Sequence, residues 1–309
     1  MVDRNDDGVF VSGVKMQQTG CVNSHWFIVI LTMRLSVDDK DFTIVGTIPA
    51  HADEIAYTYG RQFSDIRSMG ASSIDAGNVK FGGQEAMILL DQVFIPTTVF
   101  LWMVNMNLHP HGQALHYLSP VKLYMYNWYV LIGATAQIVD LNGVAKVSHI
   151  KDKLVKMAHL KEAIRSSSLA LASAYEGPKM KSDVQMIKSI QANVCKQNVT
   201  RFPYEIARLV QDLTGGLLVT MSPELELEHS DVGPLIRKFL VGNDDADIDR
   251  IKVLRLTKNI TLGLNAVGYL TEPMHGAGSP QAQRIQIARG MYLDTKRIYA
   301  HKISRITET

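Results

Sequence analysis

Two glutamates stand out by their neighbours. Glu85 ends the run Phe81-Gly82-Gly83-Gln84-Glu85 just before an apolar stretch, and Glu272 lies in Tyr269-Leu270-Thr271-Glu272-Pro273-Met274-His275. A carboxylate at an apolar border loses solvation of its charged form, so its proton is held more tightly and it can act as an acid or a base. The plainer reading is a pair of surface carboxylates, and nothing in the spacing pairs them. Gly276 through Arg284 offers a second feature: glycines before a helix start leave backbone N–H groups facing any nearby anion. The alternative there is an ordinary connector and cap. Thr214-Gly215-Gly216 follows a stretch carrying Arg208, Gln211 and Asp212, where backbone without side chains could approach a flat ligand; a helix C-cap explains the same glycines. His109, His111 and His116 have ligand-like spacing, but their segment has no periodicity and reads as a loop with incidental histidines.

These residues need elements to hold them. Up to about residue 100 the chain reads as β structure. Val9-Phe10-Val11 is short and apolar, and Trp26–Met33 is a nearly continuous apolar run that predicts a strand buried on both faces. Phe42–Ile48 and Ala86–Ile95 each stop at a proline, and glycines at 70, 77, 82 and 83 punctuate the interval. Strands at this spacing predict a small barrel or sandwich.

Beyond about residue 130 the period becomes helical. Ile150, Leu154, Met157, Leu160 and Ile164 share one face of a helix expected to stop at Gly177-Pro178. Met186, Ile190 and Val194 predict another, ending near Pro203, with a third from Pro203 to Gly215-Gly216. A long helix is expected over about Asp245–Val267, and a last one from Ser279-Pro280 past Met291. Five helices with short connections predict a bundle. The expected boundaries are a β domain over 1–110 and a helical domain over 111–309.

Composition narrows the class. Of 309 residues, 46% are hydrophobic and 20% charged, which excludes intrinsic disorder. The net charge of +2 gives no electrostatic reason to bind nucleic acid or an acidic membrane. No apolar run approaches the ~20 residues of a membrane span. Two cysteines, Cys21 and Cys195, cannot build a disulfide framework and point to a reducing compartment. With no basic start followed by an apolar core, the expected location is the cytoplasm.

Several stretches together resemble a known family: Gly13-Val14-Lys15-Met16-Gln17-Gln18-Thr19-Gly20, Asn23-Ser24-His25, Phe81 to Ala86, Ser148 to Leu154, Ala192 to Arg201, and Thr271 to Arg284. They look like the 4-hydroxybutyryl-CoA dehydratase/vinylacetyl-CoA isomerases, which sit with the 4-hydroxyphenylacetate 3-hydroxylases among flavoproteins of acyl-CoA dehydrogenase architecture. The resemblance implies an α+β fold, an acyl-CoA dehydrogenase-like middle β-domain followed by a C-terminal helical bundle that forms the core of a homotetramer. It implies that an N-terminal helical domain is absent. It implies FAD contacted by Met16, Gln17, Gln18 and Thr19, with a second flavin surface at Thr214, Gly215 and Gly216 from a neighbouring subunit. Glu85 and Glu272 match the family's catalytic glutamates. The chemistry implied is that of a flavoprotein lyase and isomerase on an acyl-CoA: an unactivated β-proton is removed, the γ-hydroxyl is lost, and the flavin relays an electron. A flavin-dependent aromatic hydroxylase of the same family, an oxidoreductase, is the alternative, and a non-enzymatic remnant is another.

One stretch departs from the pattern. The family's 4Fe–4S cluster takes ligands from His-x-x-x-Tyr-x-x-Cys-Lys just before a segment like Val130-Leu131-Ile132-Gly133-Ala134. Here Pro120, Leu123 and Tyr124 stand where the tyrosine, cysteine and lysine belong, and only His116 remains. One histidine cannot hold a cluster, so no metal site is expected and the chain is expected to be inactive. Read from the third base of each codon, Met103–Leu108 can give Gly-Glu-Tyr-Glu-Phe, as the family carries there. Residues 98–129 are therefore expected to be read out of frame and to be the least native-like part of the chain.

Overall fold

The computed structural model describes residues 3–30, 44–59, 72–75, 85–103, 128–173, 188–221, 223–240, 247–263 and 265–306. The histidines at 109, 111 and 116, the turn 81–84 and most of segment 98–129 lie outside them. Two compact units emerge: Met1–Leu115 with Lys258–Gly268, and His116–Thr257 with Tyr269–Thr309.

The first unit holds seven strands: β1 Asp3–Arg4, β2 Gly8–Thr19, β3 Trp26–Ile30, β4 Ile44–Pro49, β5 Ile55–Thr58, β6 Glu85–Pro96 and β7 Phe100–Met103. They form a four-stranded sheet ordered β1-β2-β6-β5 and a three-stranded sheet ordered β3-β4-β7. Every pairing is antiparallel. One apolar core, including Val9, Val29, Ile44, Ile48, Ile88, Val93 and Ile95, draws on both sheets. The strand at Trp26 differs from its expectation: Trp26 and Ile28 are exposed and Val29 is buried. The β-branched run therefore lies on a half-covered sheet with one wet face, which antiparallel sheets allow.

Strand β6 carries a register change. Ala86, Ile88 and Leu90 are buried at even positions, and Val93 and Ile95 at odd ones. The inversion falls at Asp91-Gln92, where pairing with β2 slips between Val11/Gly13. One extra residue reverses which face every later side chain takes. Gln92 absorbs it with φ 56°, and its N–H donates to Ser12 Oγ at 2.8 Å. A left-handed residue with a Cβ costs about 1–2 kcal/mol, part of which glycine's greater unfolded freedom cancels. Gln92→Gly is thus expected to stabilise the protein by up to about 1 kcal/mol, read as a rise in the thermal midpoint.

The second unit is helical: α1 over 128–141, α2 Ser148–Ser173, α3 Ser189–Thr214, α4 Leu217–Thr220, α5 Glu224–Glu228, α6 Gly233–Phe239, α7 Asp247–Thr261 (which runs into the first unit), a π-helical turn Val267–Thr271, α8 Glu272–Gly276, α9 Pro280–Arg289 and α10 Leu293–Ser304. The stripe Met157, Leu160 and Ile164 of α2 is buried, with Ile150 and Leu154 at its margin. Three helix expectations are corrected. Met186 lies outside the described residues, but from Ser189 the two helices expected to meet at Pro203 are one continuous helix. Proline inside a helix costs ~3 kcal/mol, and here the buried stripe Ala192, Cys195, Val199, Pro203, Ile206 and Val210 runs straight through it. Val194, one of the residues whose spacing predicted the first of these helices, is exposed. The long helix stops at Thr261, where the N–H groups of Leu262 and Gly263 both turn back to Lys258 O. The last helix breaks at Gly290, and Tyr292, with φ 46°, starts α10.

Between α2 and α3 the surface is charged. Glu205 accepts from Lys156 and from Arg208, the latter at 2.9 Å, and these two cations hold its carboxyl down to about 2. A carboxylate whose folded pKa is depressed stabilises the fold above its ordinary value of 4.5, and that contribution is lost as pH falls toward 2. The groups are largely solvated, so the effect is small. Glu205→Gln is expected to flatten the pH dependence of the denaturation midpoint between these two values and to leave neutral stability nearly unchanged.

No helix among the described residues is long and apolar enough to cross a membrane.

Candidate active site

The residues singled out at Met16–Thr19 and at Glu85 come together. Lys15 pairs with Ile88 and Gln18 with Ala86, so Met16 and Gln17 together oppose Met87. This two-against-one bulge at the end of β2 takes its residues out of the ladder and re-aims them. Met16 is 75% exposed, on the same outward face as Val14. Past the bulge Thr19 pairs with Glu85 in register, and its Oγ1 donates to Glu85 Oε1. The chain then turns at Gly20, in the left-handed conformation at φ 68°, into a short 3-10 turn, Cys21–Asn23. Burial pushes the Cys21 thiol up; backbone hydrogen bonds oppose this, and the Glu85 charge adds to it. Tyr57 is raised by burial first and then by Cys21 and Tyr59; its hydroxyl donates to Ala50 O at 2.6 Å. Glu85 thus lies close enough to the buried Cys21 for its charge to be felt there.

Glu272 opens α8, directly after the π-turn Val267–Thr271. Such turns are frequent at functional sites because the widened turn displaces side chains from α-helical register. The phenol of Tyr269, three residues before, is pushed up to about 12, by burial first and then by the Glu272 charge. It stays protonated, with an O–H to donate, across the physiological range. Tyr204 Oη on α3 lies 4.0 Å from Met274 Sδ on α8. Glu85 belongs to the first unit and Glu272 to the second.

The Thr214-Gly215-Gly216 turn is a helix C-cap: Gly215, at φ 67°, donates its N–H to Gln211 O, and Thr214 Oγ1 bonds back to Val210 O. Both glycines are exposed, and a Cβ added at either would meet nothing within 4 Å. The start of α9 is capped by its own Ser279, whose Oγ accepts from Ala282 N. Arg284 is exposed and bonds Gln281. Neither of these two residues needs an anion to satisfy it.

The donor sets differ in what they fit. A flavin's flat ring and pyrophosphate ask for uncrowded backbone and hydrogen-bonding groups, and the exposed bulge at Met16 and the open glycines at 215 and 216 are of that kind. An iron–sulfur cluster asks for several thiolates. Among the described residues no three His, Cys, Asp or Glu side chains converge, and both thiols are buried and pushed up, away from the thiolate form. The described residues do not fit a cluster.

Comparison with known proteins places the chain. Residues 1–101 match the family model of the 4-hydroxyphenylacetate 3-hydroxylase N terminal, and residues 114–304 that of the 4-hydroxyphenylacetate 3-hydroxylase C terminal. The chain belongs to the 4-hydroxyphenylacetate 3-hydroxylase family. Within it, the 4-hydroxybutyryl-CoA dehydratase/vinylacetyl-CoA-Delta-isomerase of Clostridium aminobutyricum is 41% identical over 99% of this chain and 65% of its own length. An oxygen-tolerant archaeal 4-hydroxybutyryl-CoA dehydratase from N. maritimus superposes with a TM-score of 0.90 at 51% identity, over 100% of this chain and 62% of that one. The chain thus spans just under two thirds of the length of these relatives. The HpaB oxygenase of 4-hydroxyphenylacetate 3-monooxygenase, solved with FAD and 4-hydroxyphenylacetate, has a TM-score of 0.84 at 15% identity, covering 99% of this chain and 65% of that one. An acyl-CoA dehydrogenase from Geobacillus kaustophilus reaches 0.60 at 11%, covering 94% and 63%. These last two share the fold alone. The α+β, acyl-CoA dehydrogenase-like architecture read from the sequence is the one observed.

Residues that sequence reasoning gave no role are Tyr57, Tyr269, Gln197 and Gln283. Gln197 and Gln283 both lie in stretches that carry the family resemblance, which was the signal available.

Proposed function

We propose that this chain is the flavin- and acyl-CoA-binding part of a 4-hydroxybutyryl-CoA dehydratase-type protein. The observation that carries the reading is the difference between the structural matches: 51% identity to the dehydratase over the whole chain, against 15% to the hydroxylase. FAD, when bound, supplies the one-electron chemistry that makes a β-proton of a thioester removable. Met16 to Thr19 would lie along it, with Thr214, Gly215 and Gly216 of a neighbouring copy on its other side. Thr19, at the end of β2, donates to Glu85 at the facing start of β6, so one side-chain contact links the cofactor turn to a reacting carboxylate. Glu85 and Glu272 would be the two reacting carboxylates, one accepting the substrate proton and the other delivering a proton to the departing hydroxyl. The sum is loss of water with no net oxidation. We place the protein in the cytoplasm as a homotetramer that binds neither nucleic acid nor membrane.

The chain by itself is proposed to bind without turning over, because Pro120, Leu123 and Tyr124 stand where the resemblance calls for a tyrosine, a cysteine and a lysine. The test is anaerobic purification with FAD, followed by titration with 4-hydroxybutyryl-CoA. The expected result is a flavin spectrum that shifts with the thioester and no crotonyl-CoA, even after iron and sulfide are supplied. Failure to retain flavin would mark a non-enzymatic remnant. Hydroxylation of 4-hydroxyphenylacetate by the reduced, aerated protein would favour the monooxygenase reading. The DNA over codons 98–129 tests the reading-frame proposal directly.

A further inference from the structure

We propose that Gln197 and Gln283 are positioning residues for Glu272: a two-amide clamp ties the turn after α8 to α3 and so fixes where the Glu272 carboxylate sits. The functional meaning of the clamp rests on the reading of Glu272 as a reacting group.

Helix α8 has five residues and continues the π-turn Val267–Thr271 at its start. A single α-helical turn adds little stability of its own, so what holds its free C-terminal end matters. Beyond the C-terminal end, the Gln283 Nε2 donates to Ala277 O and Gly278 O, both at 2.9 Å. Gly278 has φ 85°, the left-handed region that a side chain would resist. Gln283 Oε1 accepts from Gln197 Nε2 at 2.6 Å, and the same Gln197 nitrogen donates to Pro280 O at 3.0 Å. Each amide nitrogen has two hydrogens, and each reaches two acceptors.

The clamp leads back to Glu272 through the backbone. Ala277 N donates to Pro273 O and Gly278 N to His275 O, and Pro273 directly follows Glu272. The pinned turn therefore grips the first turn of α8. Gln283 is only 2% exposed. A buried amide is tolerated when its polar atoms are bonded, and a buried apolar residue would fill space but could not hold two carbonyls. With Tyr204 against Met274, α3 holds the short helix at two places.

Tyr269 supplies a reporter, because its phenol feels the Glu272 charge. A fluorotyrosine at 269, more acidic than tyrosine, brings the titration into an accessible range, and fluorine NMR reads it without flavin or substrate. The measurement is a double-mutant cycle of Glu272→Gln and Gln283→Met. In the wild type, Glu272→Gln is expected to lower the titration midpoint. In the Gln283→Met background that lowering is expected to fall to less than half its wild-type size, while a protein with a merely structural Gln283 would keep it whole. A Glu272 effect of full size in Gln283→Met overturns the proposal. Gln197→Met leaves the two carbonyl bonds of Gln283 in place and is expected to give an intermediate loss. Should Gln283→Met fail to fold, this second variant decides, and an unchanged Glu272 effect in it overturns the clamp. Absence of flavin or acyl-CoA binding in the wild type would overturn the functional reading without touching the cycle.

Discussion

Ile206→Ala is expected to lower stability by about 2–5 kcal/mol, the range for truncating a fully buried branched side chain and leaving a cavity. Ile206 is 0% exposed at the middle of the buried stripe of α3, the helix that packs against α2, α8 and α9. Proteins are stable by only about 5–15 kcal/mol, so this one change removes a large fraction of what holds the helical unit together. The measurement is a urea titration, with the midpoint shifted and the slope retained. Val194→Ala, on the same helix but 41% exposed, is the control and should stay within about 0.5 kcal/mol. Equal losses at the two positions would mean that α3 presents a different face to its neighbours.

Gly8→Ala is expected to be as damaging in the first unit, for the opposite reason. Gly8 is buried at the start of β2, where an added Cβ would sit 2.3 Å from Ile95 O and 2.7 Å from two ring carbons of Phe94. The Phe94 ring can rotate away, but the carbonyl belongs to β6, the strand β2 pairs with. Relief requires the ladder to part where Asn5 Oδ1 also accepts from Gly8 N. Overpacking costs typically 1–3 kcal/mol, and more when the obstacle is backbone. We expect a loss of about 3 kcal/mol, seen as a lowered melting midpoint. Gly13→Ala on the same strand, where a Cβ meets nothing within 4 Å, should be nearly silent.

What was legible in the sequence depended on range. Strands ending at Pro49 and Pro96, and the α9 start at Ser279-Pro280, were readable because proline and a cap residue act within a turn of themselves. Pro203 misled for the same reason: its local cost is real, but the stripe it belongs to packs against three other helices, and that sum exceeds the penalty. Trp26–Ile30 read as doubly buried because composition reports the taste of a strand for burial, while coverage of each face is decided by distant chain. At the site, each glutamate stood out by its apolar border, but only the resemblance paired them. The Thr19–Glu85 bond joins residues 66 apart, and the Gln197–Gln283 bond residues 86 apart; neither has a periodic signature.

The π-turn at Val267–Thr271 has a genetic consequence. A π-turn holds one residue more than the α-helical turn it replaces, and each residue of an α-helix advances the chain by about 100°. Removing a single codon anywhere in 267–271 would let the helix from Ala266 to Gly276 close into regular α geometry at little cost in helical hydrogen bonds. Glu272 would then be carried about a quarter-turn around the axis, while Gln283 still held the turn beyond it. The segment should therefore tolerate substitution far better than it tolerates a change in length, and a library of single-codon deletions across 260–290 should show its sharpest functional loss at these five positions.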